Sequence, residues 1–285
     1  MRPLHGGAHG APALAGAGLL DVIVIALALG AVGAYLVGVV VSRRRGCGWS
    51  SDRIGLWTMG VALAAMSMAG PLAEASHGRF FAHAGAHLLG GMLAPLLLTL
   101  AAPVTLALRA LHPTPARRLS RVLRSGPGRV VSHPVTAAVL SAGGLWLIYA
   151  TPVFAWMQAS PLIHLAVQVH VVLAGWLFTA SVLGIDPAPH APRRVVIAVV
   201  LVATMASHAV LAKHLYANPP VGVDPADAQA GAQLMYYAGA WVEAAIVVIF
   251  CARWYRAAGR RQGTARVNQR TGEAAIGSSP LSRSA

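Results

Sequence analysis

Seven apolar runs dominate the chain, at residues 17–42, 53–72, 81–108, 132–152, 162–184, 194–216 and 232–256. A helix needs about 20 mostly apolar residues to cross the hydrocarbon core of a bilayer, where no water is present to satisfy a frayed backbone. Runs of this length and number predict an all-α, polytopic membrane protein with seven transmembrane helices. Composition agrees: of 285 residues, 56% are hydrophobic and 11% charged, with a mean hydropathy of +0.63. The expected organisation is a short external tail at 1–16, the membrane domain at 17–258, and a basic tail without regular structure at 259–285. No strand periodicity, internal repeat or second domain is visible.

The net charge of +14 is carried by short segments between the runs rather than by a basic face. It therefore reads as a topology signal and excludes nucleic acid as a partner. Arg43, Arg44, Arg45 and Arg53 flank the first connection, and Arg109, Arg117, Arg118, Arg121, Arg124 and Arg129 fill the third. Arg193 and Arg194 close the fifth, and Arg253, Arg256, Arg260, Arg261, Arg266, Arg270 and Arg283 follow the last run. Of the 22 Lys and Arg, only Arg2, Arg79 and Lys213 fall on the other side. The positive-inside rule then places the N-terminus outside and the C-terminus in the cytoplasm. The opening stretch lacks the compact charged and apolar regions of a cleaved signal peptide. Cys47 and Cys251 form no CxxC pair, which argues against a disulfide or thiolate site.

Sorted by this topology, the twelve histidines are lopsided. His112, His133 and His190 belong to the cytoplasmic side, whereas His5, His9, His77, His83, His87, His164, His170, His208 and His214 lie outside or in the outer halves of runs. At a rise of about 1.5 Å per residue, His83, His164 and His214 sit roughly 3–4 Å below the outer boundary, and His87, His170 and His208 roughly 9–13 Å. Two tiers result, on three helices. His83 and His87, at i and i+4, share a face. The pairs His164/His170 and His208/His214 are six residues apart, which turns their members about 120° away from each other. Imidazoles clustered at one depth suit Cu, Zn or haem iron, and an ionisable group inside a bilayer marks a functional site by default. Met66 and Met68, at the outer end of the second run, add thioethers suited to Cu(I), and external Asp227, Asp224 and Glu74 attract cations. Glu243, well inside the seventh run, is costly there.

Three segments carry a family resemblance. The stretch HAGAHLLGGMLAPLLLTLAAPV couples an HxxxH pair to an Ala-Pro-bracketed leucine run. SPLIHLAVQVHVVLAGWLFTASVLGIDP joins His164 and His170 to Gly175, Leu177 and Phe178, then to a turn at Gly184, Asp186 and Pro187. DAQAGAQLMYYAGAWVE opens the last run with Asp227, Gln229 and Gly231 and continues through Met235 and Glu243. In this order, between Trp57 and Tyr255, they resemble the CtaG family of multi-span cytochrome c oxidase assembly proteins, not the single-span copper chaperone that shares the name. The resemblance implies a non-enzymatic assembly factor for a haem-copper oxidase in a bacterial plasma membrane, linked to copper supply. Its implied partners are oxidase subunits and a copper chaperone.

The expected copper donors are His83, His87, His164, His170, His208 and His214, with Met66, Met68 and Asp227. Two rival readings remain. One is a membrane cytochrome in which histidines such as His87 and His170 ligate a b-type haem. The other is a metal permease, which needs polar residues continuing into the inner half of the spans.

Overall fold

The computed structural model describes residues 11–187 and 192–277, with side chains described between 18 and 258. His5, His9 and His190 lie outside the described residues. So do the side chains of the basic tail from residue 259 onward. All regular structure among the described residues is helical: α1 (Ala11–Arg44), α2 (Ser51–Met66), α3 (Pro71–Gly78), α4 (Phe80–His87), α5 (Ala94–Leu100), α6 (Pro103–Ala110), α7 (Pro113–Arg124) and α8 (Gly126–Val131). There follow α9 (Pro134–Ala138), α10 (Gly144–Ala150), α11 (Val153–Ala159), α12 (Pro161–Leu183), α13 (Arg194–Ala217) and α14 (Pro225–Gly277). π-helical segments at Leu88–Leu93 and Val139–Gly143 fuse α4 to α5 and α9 to α10.

Among the described residues, six helices are long and apolar enough to cross a membrane. A seventh crossing requires counting α9–α10 and α11 together, and these are bent by 77°. The fourth run, expected as one helix over 132–152, thus breaks at Thr151–Pro152, because proline disfavours helical backbone at the residue before it. The same rule shortens the third run, expected to reach 108. Ala102 precedes Pro103 and adopts a left-handed φ of 52°, so the span ends at Leu100 and α6 is separate. Between the second and third runs the chain forms α3, a helix that hydropathy does not announce.

Two aspartates tie these breaks together from a distance. Asp186, just after α12, accepts the Val104 and Thr105 amides at 3.2 and 2.7 Å and the Thr105 hydroxyl at 2.6 Å. Asp227, in the first turn of α14, accepts the Phe80 amide at 2.5 Å and the Phe81 amide at 3.2 Å. Each carboxylate satisfies amides that a helix start leaves without partners and complements its positive end. The helix carrying His83 and His87 is therefore anchored at its start by α14.

Two compact units divide at Ala244. In the first, a core joins α4, α10, α11, α13 and α14, with Phe80, Met157, Leu211, Leu215 and Met235 almost fully enclosed. A second cluster secures α1. The Tyr35 hydroxyl donates to the Ala101 carbonyl at 2.9 Å and accepts from Trp49 Nε1 at 3.0 Å, while its ring stacks on Trp57 at 4.8 Å. α12 crosses the first π-helical segment backbone to backbone: a β-carbon on Gly175 would collide with the Gly91 carbonyl oxygen. The second unit, Ala245–Ala285, is the remainder of α14 and the tail, where Phe250 and Trp254 meet edge to face at 5.6 Å.

Candidate functional site

His83 and His87 project from α4 into the interior and are 4% and 5% exposed. Each meets one histidine from another helix. His83 faces His164 of α12, with ring centres 6.0 Å apart and planes near perpendicular. His87 faces His208 of α13, also at 6.0 Å, with planes tilted by 43°. The two pairs are separated by about 6 Å along α4, four residues of helical rise. His83 and His164 lie toward the start of α4, and His87 and His208 one turn further along it; under the orientation expected from the arginines these are an outer and a deep pair.

Polar neighbours fix how the rings are presented. Ser76, on α3, donates its only hydroxyl proton to the Ala73 carbonyl at 2.6 Å, so its oxygen accepts from His164 Nε2–H at 3.3 Å. The network thus assigns the proton of a neutral His164 to Nε2 and leaves Nδ1 a bare lone pair. His77 stacks on the same ring at 4.2 Å and donates from Nδ1 to Ala73 at 2.9 Å. His83 Nε2 is 3.1 Å from the Tyr149 hydroxyl of α10, and Phe154 of α11 closes the ring edge at 5.4 Å. In the deep pair, Glu243 Oε1 lies 3.2 Å from His208 Nδ1. A carboxylate there accepts, so Nδ1 carries a proton and Nε2 of the neutral ring is the lone pair.

Seven buried side-chain polar atoms have no hydrogen-bond partner among the described residues, and five of them are His83 Nδ1, His164 Nδ1, His208 Nε2 and both nitrogens of His87. Leaving such an atom unsatisfied costs about 1–3 kcal/mol. Their concentration in two ring pairs makes these the candidate binding site. One ion held end-on between two collinear imidazoles puts their ring centres about 6.2 Å apart, taking about 2.0 Å per metal–nitrogen bond and about 1.1 Å from nitrogen to ring centre. Both pairs are within reach of that value. Among the described residues no three His, Cys, Asp or Glu side chains are grouped closely enough to hold a metal ion.

The remaining expected donors are placed elsewhere. His170 is exposed and donates from Nε2 to the Leu140 carbonyl, in the second π-helical segment, at 3.1 Å. His214 is exposed too, lying 5.8 Å from the Trp146 ring, with Asn218 Nδ2 donating toward its Nδ1 at 3.3 Å. Both follow from the six-residue spacing: with His164 and His208 facing inward, His170 and His214 are turned away. Asp227 commits both carboxylate oxygens to the start of α4. Met66 is 51% exposed at the end of α2, and Met68 is half-buried just beyond it. Sequence reasoning did not find Ser76, Tyr149 or Gln168, whose Nε2 donates to the Ser67 carbonyl at 2.9 Å. Of these, Gln168 had a signal: it lies four residues after His164, on the same helix face.

Fold and site define a multi-pass helical membrane protein enclosing paired imidazoles. The family model of the cytochrome c oxidase caa3 assembly factor matches residues 33–257, and the chain belongs to this family, whose members are assembly factors and not catalysts. An uncharacterized protein of Mycobacterium leprae (strain TN) is 35% identical over 179 residues, covering 60% of this chain and 26% of the relative. An uncharacterized protein of Mycobacterium bovis (strain ATCC BAA-935 / AF2122/97) is 33% identical over 172 residues, covering 58% and 25%. The chain thus spans about a quarter of the length of the curated relatives it matches. No solved structure matches it.

Proposed function

We propose that this protein serves the assembly of a haem-copper oxidase in a bacterial plasma membrane by carrying Cu(I) as cargo between its two imidazole pairs. A closed-shell Cu(I) ion accepts two collinear donors, and imidazole is among the nitrogen ligands that suit copper. The reading rests on the two ring pairs at 6.0 Å with their unpartnered nitrogens. The N-terminus faces outward and the C-terminus the cytoplasm, as the arginine distribution requires. The outer pair, His83 and His164, then receives the ion from a chaperone or the external medium, and His87 and His208 hold it for an oxidase subunit. Ser76 and Tyr149 orient the outer rings, and Glu243 orients His208.

A haem between the same rings needs a slot for the macrocycle. At the deep pair, a single carbon added to Gly239 already stands 2.7 Å from His208 Cε1, and such packing favours a bare ion. Carriage right across the bilayer predicts metal uptake by proteoliposomes, whereas a relay within the outer half predicts none.

The direct test replaces His83 and His87 together with alanine. Oxidase activity in membranes is expected to fall to background while the variant stays as abundant as wild type on an immunoblot. Full oxidase activity in that strain rejects the relay.

A further inference from the structure

We infer that Met92 is a third donor at the deep pair, making it a mixed nitrogen and sulfur site for Cu(I); this rests on the copper reading above. The sequence spacing argues against it at first sight. In an α-helix, residues five apart lie about 140° from each other, so His87 and Met92 would face different neighbours. The intervening chain is not α-helical, however. Leu88–Leu93 is π-helical. A π-helix closes its hydrogen bonds at i+5 with about 4.4 residues per turn, so five residues bring the chain back to within about 50° of its starting direction. The segment returns Met92 to the side of the span that carries His87.

The surroundings agree. Gly239 of α14 has no side chain, and the point its β-carbon would occupy lies 2.7 Å from His208 Cε1 and 3.6 Å from Met92 Cε. The methionine methyl and the His208 ring therefore border the same small space. Cε1 lies between the two ring nitrogens: Nδ1, 3.5 Å from the same point, is engaged by Glu243, and Nε2 has no partner. His87, 6.0 Å from His208, contributes two more unpartnered nitrogens. A thioether is a soft, neutral donor, and adding it to two imidazoles shifts preference toward Cu(I) and away from harder divalent ions.

Methionine that only fills space exchanges for leucine at nearly constant volume. The test therefore compares wild type with Met92→Leu and Met92→His, each in a His83→Ala background that removes the outer pair. Full-length protein in detergent is loaded anaerobically with Cu(I), and both X-ray absorption and competition against a Cu(I) chelator are measured. The reference chain is expected to show a sulfur neighbour at about 2.3 Å beside nitrogen. Met92→Leu is expected to lose that sulfur and bind about 10-fold more weakly. Met92→His is expected to lose the sulfur yet recover affinity. A sulfur signal unchanged in Met92→Leu, or copper bound by nitrogen alone in the reference chain, overturns the Met92 assignment and leaves the paired-histidine reading standing. No copper bound by wild-type protein overturns both.

Discussion

Valine at position 175 is expected to leave almost no folded protein in the membrane. Gly175 lies where α12 crosses the first π-helical segment, and any β-carbon there falls on the Gly91 carbonyl oxygen, with Pro95 Cγ only 3.1 Å away. A flexible side chain would yield; a backbone carbonyl within a span does not. Overpacking a well-fitted core ordinarily costs about 1–3 kcal/mol. Here the helices must also separate, so Gly175→Val is expected to exceed that range and Gly175→Ala to fall near its upper end. Separation would also pull His164 from His83 and displace His87. Abundance and the melting midpoint of the detergent-solubilised protein check this. Wild-type values for Gly175→Val would mean that the two backbones do not meet as described.

On the copper reading proposed above, Glu243→Ala is expected to weaken copper binding at the deep pair by about 10–100-fold, the usual cost of losing a group that orients a metal-ligating histidine. The carboxylate is the acceptor 3.2 Å from His208 Nδ1 and fixes which nitrogen of that ring carries the proton. Without it, His208 loses its orientation and its preferred tautomer together. Glutamine retains an oxygen acceptor at the same reach, so Glu243→Gln is expected to keep most of the affinity. A Cu(I) competition titration of the three proteins distinguishes these outcomes. Equal affinity for alanine and wild type would remove Glu243 from the site. The ordering of alanine below glutamine separates a hydrogen-bonding role from a requirement for negative charge.

Much of this architecture was legible in one dimension because the bilayer imposes a length and a polarity on each span. Helix phase put His83 and His87 on one face and set the members of His164/His170 and His208/His214 about 120° apart, without choosing which member of each pair faces inward. Other features were hidden for identifiable reasons. Averaging hydropathy over a window passes across Pro103 and Pro152, which nevertheless end helices. The short α3 was masked because Pro71–Gly78 carries Glu74 and His77 and lacks an apolar run. Asp227 looked like a cation attractor because its partners, the Phe80 and Phe81 amides, lie about 146 residues away in the chain. The π-helical turns leave no periodic trace, since a single register shift lasts fewer residues than the pattern needed to detect it.

The first π-helical segment lets the span absorb one extra residue without turning its two halves out of phase. It fits Leu88–Leu93 into the span with one residue more than the equivalent α-helical path would use. Deleting a single residue between His87 and Pro95 would leave every histidine, Met92 and Glu243 in the chain, and the span would still be long and apolar enough to insert. The shortened segment would close as an α-helix, in which four residues bring the chain back to within about 40° of its starting direction, so the two halves would keep nearly their present phase. Alignments of related chains therefore carry information in their gaps. A one-position gap between the HxxxH pair and the following Ala-Pro would mark members whose span is α-helical throughout, with its two halves still in phase.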